Sequence, residues 1–179
     1  MSDDVLASAA AGEPWALRAL YEELAPRVHG YLLARGARDP EDLTSEVFLT
    51  VFARLGTVTG GTAGLRSLTF SVAHARLVDD LRRHSRAPTI TDYEPERDTR
   101  SSPSSEDEVL ASLGMAEVIE LLSRLPEAQR EVLALRHLAD LSIDQVAAVL
   151  DRTPGAIKQL QRRGLLALRA ALETEGVTP

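Results

Sequence analysis

The chain has no cysteine and few aromatic rings: one tryptophan, three tyrosines and three phenylalanines in 179 residues. Without thiols there is neither a disulfide scaffold nor a thiolate metal site, which fits a reducing cytoplasm. The four histidines, His29, His74, His84 and His137, are scattered, so no metal and no cofactor are expected. Long apolar runs are missing, and the opening Met-Ser-Asp-Asp is acidic where an export signal would be basic. Neither secretion nor membrane insertion is expected, and the protein is read as cytoplasmic. Alternation of polar and apolar residues is also missing, which removes the signature of half-buried strands. Lysine is almost absent: Lys158 is the sole one, and arginine supplies the other positive charges.

What remains is rich in leucine, alanine and valine, with 44% hydrophobic residues, enough to build cores without aromatics. The expected fold class is all-α. The net charge of −7 looks wrong for a nucleic-acid binder, because duplex affinity comes largely from neutralising phosphate. The distribution changes that reading. Residues 142–172 carry Arg152, Lys158, Arg162, Arg163 and Arg169 against Asp144 and Asp151, and residues 62–84 carry Arg66, Arg76, Arg82 and Arg83 against Asp79 and Asp80. Acid is concentrated in 1–61 and 85–108. Such a chain should hold naked DNA weakly and need a larger partner to deliver it.

The most informative stretch runs from Ser142 to Arg169. Ser142 followed by Gln145 is a capping box, and Ile143, Val146, Ala147 and Leu150 form one apolar stripe behind it. Asp151-Arg152 make a corner, Thr153 caps a second helix, and Pro154 occupies its first position, where a missing N–H costs nothing. Two short helices joined by a tight turn make a helix-turn-helix. On the second helix Ile157, Leu160, Gly164 and Leu168 share the packed side, while Lys158, Gln159, Arg162 and Arg169 project from the other. Those side chains suit the base edges of a major groove.

In chain order, Val5 to Ala11 is a short apolar segment, followed by a helix from about Trp15 to Arg35 that Gly36 closes. Pro26 inside it predicts a kink or brief interruption, and Trp15, Tyr21 and Tyr31 are expected in the core. Asp39 caps the next helix, with Pro40 at its first position and acids in its first turn. Leu43, Val47, Val51 and Leu55 make one face, with Phe48 and Phe52 beside it: more large apolar groups than one stripe needs. Such an acidic rim beside an apolar strip can dock a basic helical partner. Gly56 to Gly64 reads as a glycine and threonine loop that is mobile or folds around a ligand, and a helix from about Leu65 to Arg83 follows, ending in cations. Residues 85–108 are polar and proline-rich, as a linker is. Beyond it, helices are expected from about Glu106 to Arg124 and from Pro126 to His137.

Taken together, these pieces resemble the extracytoplasmic-function (ECF) subfamily of bacterial RNA polymerase sigma factors over nearly the whole chain. Asp39-x-Glu41-Asp42-Leu43-Thr44-x-Glu46-Val47-Phe48 with Arg54-Leu55 resembles the region 2 helix that grips the clamp coiled coil of the β′ subunit. Arg66 to Arg83 resembles the promoter-melting helix, and Leu125 to Arg136 the opening of region 4. The resemblance implies two small helical domains, region 2 over 1–84 and region 4 over 109–179, joined by a flexible acidic linker over 85–108 that threads toward the RNA exit path. It implies docking on core polymerase, with its β′ clamp and β subunits, through Asp39, Glu41, Asp42, Leu43, Glu46, Val47 and Phe48. Promoter DNA would be read at −35 through Lys158, Gln159, Arg162 and Arg163, with Arg152 and Thr153 near phosphate. The unpaired −10 strand would be held by the 57–64 loop with His74, Arg76, Asp79, Arg82 and Arg83. No catalytic role follows, and an anti-sigma partner is implied as in many relatives.

Two departures stand out. Leu68 and Ala75 occupy places where the family usually has tryptophan and asparagine, and Leu160 and Leu165 stand where many relatives have arginine. The competing reading is a free-standing helix-turn-helix regulator that binds a duplex operator without polymerase, usually as a dimer. An enzyme ranks third, because no nucleophile motif or glycine-rich phosphate cradle accompanies the serines, histidines and aspartates.

Overall fold

The computed structural model describes residues 2–84 and 114–174. Every regular element among them is helical, as the composition predicts, and the chain divides into two compact units, residues 1–86 and 87–179. The expected linker and the first residues of the helix expected from Glu106 lie outside the described residues.

The first unit contains α1 (Asp3–Ala10), α2 (Pro14–Ala34), α3 (Pro40–Ala53), a 3-10 turn (Leu55–Thr57) and α4 (Gly61–His84). Helix α2 packs on α1 and α3, and α3 packs on α4. Leu20, Leu24, Val28, Tyr31 and Leu32 of α2 meet Val47, Phe48 and Val51 of α3 and Phe70, Ala73 and Leu77 of α4 in the core. Each fully buried leucine or phenylalanine there contributes roughly 1.5–3 kcal/mol of transfer free energy. Tyr31 is fully buried, sets its ring edge-on to Phe70 at 5.7 Å, and pairs its hydroxyl with Nδ1 of His74 at 3.2 Å. That pairing satisfies a hydroxyl which would be costly to bury alone.

Three expectations need correction. Helix α2 has no interruption at Pro26: the proline is on an exposed face, where water can solvate the carbonyl that loses its helical partner. Trp15 and Tyr21 are not core residues but are 57% and 41% exposed, because Leu20, Leu24 and Val28 already fill the stripe that faces α3 and α4. Helix α4 begins at Gly61, not at Leu65, so most of the expected 56–64 loop is 3-10 turn or α-helix. Its first turn is closed by Gly64 N–H donating to Gly60 O, and Asp3 Oδ1 accepts the N–H of Thr62.

The second unit contains α5 (Met115–Ser123), α6 (Glu127–His137), α7 (Ile143–Leu150) and α8 (Pro154–Thr174). Val118, Leu122, Val132, Leu133, Leu135, Leu141, Val146 and Ile157 form its centre. Arginines fasten the connections: Arg130 Nη2 donates to Leu125 O at 2.9 Å, and Arg136 Nη1 donates to Leu141 O. Among the described residues no helix is long and apolar enough to cross a membrane.

Candidate functional site

The capping chemistry around α7 and α8 forms as the local sequence dictates. Gln145 N–H donates to Ser142 Oγ at 3.2 Å and Ser142 N–H donates to Gln145 Oε1 at 2.8 Å, which completes the reciprocal box. Helix α7 is closed by its C-cap Asp151, whose φ of 51° lies in the left-handed region, and Arg152 N–H reaches back to Ala147 O at 3.0 Å. Thr153 Oγ1 then accepts the N–H of Ala156 at 3.2 Å, opening α8. A short polar side chain tolerates that left-handed corner, and the corner sets the crossing of the two helices.

Helix α8 is divided lengthwise. Ile157, Leu160, Gly164, Leu165 and Leu168 are buried, and Gly164 lies so close to α6 that an added Cβ would stand 2.8 Å from Leu133 Cδ1. Lys158, Arg162, Arg163 and Arg169 are exposed, and Gln159 is half-buried. Leu160 and Leu165 are therefore packing residues in this chain. The sequence reading missed Leu166, which is 52% exposed amid the basic groups. At 100° per residue it shares the face of Lys158, Arg162 and Arg169, and an apolar contact with thymine methyl is the chemistry such a side chain offers.

The acidic helix α3 is also two-sided. Asp39 Oδ1 accepts the N–H of Asp42 at 3.0 Å, and Pro40 follows the cap. Glu41, Asp42 and Ser45 are exposed, as is Leu49 at 74%. Leu43, Val47 and Phe48, expected to touch a partner, are instead buried at 4%, 0% and 2% exposure. Their spacing faces α2 and α4, so they hold α3 in place and its acids and Leu49 form the surface. Beside Leu49 lies a short aromatic row: Phe48 packs against Tyr21 at 4.8 Å and against half-buried Phe52 at 5.6 Å.

The candidate strand-holding residues on α4 occupy different settings. Asp79, Arg82 and Arg83 are exposed, and Arg83 Nε donates to Asp79 O at 3.3 Å. Arg76 is half-buried: it faces Glu46 at 3.5 Å and donates to Thr50 Oγ1 at 3.2 Å, so it also ties α4 to α3. His74 commits one ring nitrogen to buried Tyr31. Between α3 and α4 lies a cavity of about 320 Å³ lined by Thr50, Arg54, Leu68, Ser71, Val72, Ala75, Arg76 and Asp79. Leu68 and Ala75, the two departures noted from sequence, share this cavity, which has one apolar wall and a rim of hydroxyl, guanidinium and carboxylate groups.

Residues 121–170 match the family model of sigma-70 region 4. The chain is 32% identical over 171 residues to the ECF RNA polymerase sigma factor BldN of Streptomyces coelicolor, an alignment covering 94% of this chain and 65% of BldN's length. It is 34% identical over 137 residues to the ECF RNA polymerase sigma factor ShbA of Streptomyces griseus, covering 74% of this chain and 71% of ShbA. Among solved structures, CnrH in complex with the cytosolic domain of CnrY shares the fold, with a TM-score of 0.64, 20% identity and 97% of each chain covered.

Proposed function

The chain belongs to the ECF family of RNA polymerase sigma factors, and from that premise we propose that it docks on core polymerase through α3 and directs initiation at promoters read by its two units. Residues 1–84 act as region 2, 85–108 as the linker and 109–179 as region 4. Asp39, Glu41, Asp42 and Glu46 supply the acidic rim of the docking face and Leu49 its apolar centre, while Leu43, Val47 and Phe48 keep the helix in position. An apolar centre inside a polar rim is how protein interfaces are built.

At −35, α8 enters the major groove with Lys158, Gln159 and Arg162 toward base edges; Arg152, Thr153 and Arg163 contact the backbone. Phosphate contacts set register, and base-edge contacts carry sequence information. At −10, Arg76, Asp79, Arg82 and Arg83 hold the unpaired strand beside the α3–α4 cavity, with His74 fastening α4 beneath them. Single strands are held by cationic grooves combined with sites that accept a base face. The protein performs no catalysis of its own, works in the bacterial cytoplasm, and exposes on α3 the face an anti-sigma protein would cover.

The observation that carries this reading is the segregation of charge and exposure: an acidic helix with a bare leucine in one unit, a basic recognition helix in the other. Run-off transcription with purified core enzyme on a genomic DNA pool tests it. Addition of the protein should give initiation at a defined set of start points that share upstream sequence; absence of any new start point would refute it.

A further inference from the structure

Helix α4 carries the strand-holding cations, yet its own start is poorly equipped. The first turn, Gly61-Thr62-Ala63-Gly64, contains no acidic residue, and Gly60 before it has no side chain to cap with. A helix N-terminus presents unsatisfied N–H donors and a positive dipole end, which a carboxylate satisfies. Here the carboxylate comes from 59 residues away: Asp3 Oδ1 accepts the N–H of Thr62 at 3.2 Å.

The backbone around this contact is closely fitted. Gly61 has a φ of +61°, and a Cβ on it would stand 2.7 Å from Asp3 Oδ1 and 3.3 Å from its Cγ. A Cβ on Gly64 would lie 1.7 Å from the carbonyl oxygen of Thr59, so that turn is closed to any other residue. Helix α1, which carries Asp3 in its first turn, packs along α2 and also touches the 3-10 turn and α4. The segment 58–64 is thus bounded by α1 on one side and by its own glycines on the other.

We propose that Asp3 is a positioning residue for the −10 contact: through Thr62, the first helix fixes the 58–64 segment and the start of α4 in the conformation that receives the unpaired strand. The inference rests on the promoter reading of α4 given above. Because a carboxylate already occupies this helix end, strand phosphates find their cations farther along, at Arg76, Arg82 and Arg83.

The test compares the full-length wild type with Asp3→Ala and Asp3→Asn. Asparagine keeps the acceptor oxygen and loses only the charge. Amide exchange at Thr62 is measured on the free protein. Binding of the reconstituted holoenzyme is then measured to two probes from a promoter mapped by run-off: a single strand carrying the −10 sequence, and a duplex carrying only the −35 sequence. Asp3→Ala should speed Thr62 exchange and weaken the single-strand probe by roughly fivefold, the loss of one cap. Asp3→Asn should stay within about twofold of wild type, and neither variant should change the −35 duplex.

Unchanged Thr62 exchange and single-strand binding in Asp3→Ala would overturn the proposal, as would an equal loss on both probes or no recovery in Asp3→Asn. A wild-type holoenzyme that initiates nowhere would instead overturn the promoter reading, and this proposal with it.

Discussion

Gly164→Ala probes how closely the recognition helix must sit on the helix beneath it. The added methyl would stand 2.8 Å from Leu133 Cδ1, 3.3 Å from Leu133 Cγ and 3.4 Å from Gln129 Cβ. Leu133 is fully buried, so its methyl has no solvent side into which to retreat. Overpacking of this kind costs about 1–3 kcal/mol, while alanine in place of glycine inside a helix returns up to about 1 kcal/mol. The net expectation is a destabilisation of about 0–3 kcal/mol, and the matched control separates the two effects. Gly155, in the first turn of the same helix, has nothing within 4 Å of an added Cβ, so Gly155→Ala should be neutral or stabilising by up to about 1 kcal/mol. Urea denaturation followed by far-UV circular dichroism measures both variants, and the fluorescence of Trp15, the sole tryptophan, reports on the first unit alone. Gly164→Ala should unfold at lower urea than Gly155→Ala, with the Trp15 transition unmoved. Equal stability of the two variants, or an equal shift in the Trp15 signal, would refute the packing argument.

The other predictions concern surface, groove and corner. Leu49→Asp should weaken core-polymerase binding by roughly tenfold or more, the transfer free energy of one leucine, with the melting temperature nearly unchanged. Phe48→Ala, by contrast, should cost about 3–5 kcal/mol of stability because that ring is buried; chemical denaturation and a core-binding titration separate the two. Arg163→Ala in the holoenzyme should lower the slope of log affinity against log salt by about 1, as the loss of one phosphate contact does, whereas Arg162→Ala should cost roughly 1–3 kcal/mol on the preferred −35 sequence only. Equal loss on every −35 variant would remove Arg162 from base reading. Asp151→Gly should be neutral or slightly stabilising, and Asp151→Val destabilising by roughly 1–2 kcal/mol, because the corner requires a left-handed residue; thermal unfolding reads both.

Much of the second unit was legible because its instructions are local. Ser142 and Gln145 lie three residues apart, Thr153 caps a helix that starts at the next residue, and the stripe of Ile157, Leu160, Gly164 and Leu168 follows from helical spacing alone. The first unit was less legible where the deciding contact is remote. The start of α4 depends on Asp3, which no window around Gly61 contains, so a glycine-rich stretch read as loop is partly helix. Spacing also placed Trp15 and Tyr21 on an apolar helix without showing that other residues had already filled its buried stripe. On α3 the surplus of apolar groups was visible, but one dimension could not show that Phe48 turns inward and Leu49 outward. The helix itself was therefore legible as an element, while which of its apolar side chains reach the surface was not: Leu43, Val47 and Phe48 are buried and Leu49 is exposed. Arg76 is a similar case: it was read as a strand contact, and in the structure it joins Glu46 and Thr50 of the neighbouring helix.

In the proposed function neither unit commands a promoter alone, and core polymerase makes the chain selective. Fluorescence anisotropy of a labelled promoter duplex, titrated with this protein in the absence and presence of purified core enzyme at one fixed salt concentration, measures that dependence directly. The free protein should bind weakly with little sequence preference, and tight, sequence-selective binding should follow only once core enzyme is added. Tight and selective binding by the protein alone, unaltered by core enzyme, would contradict it.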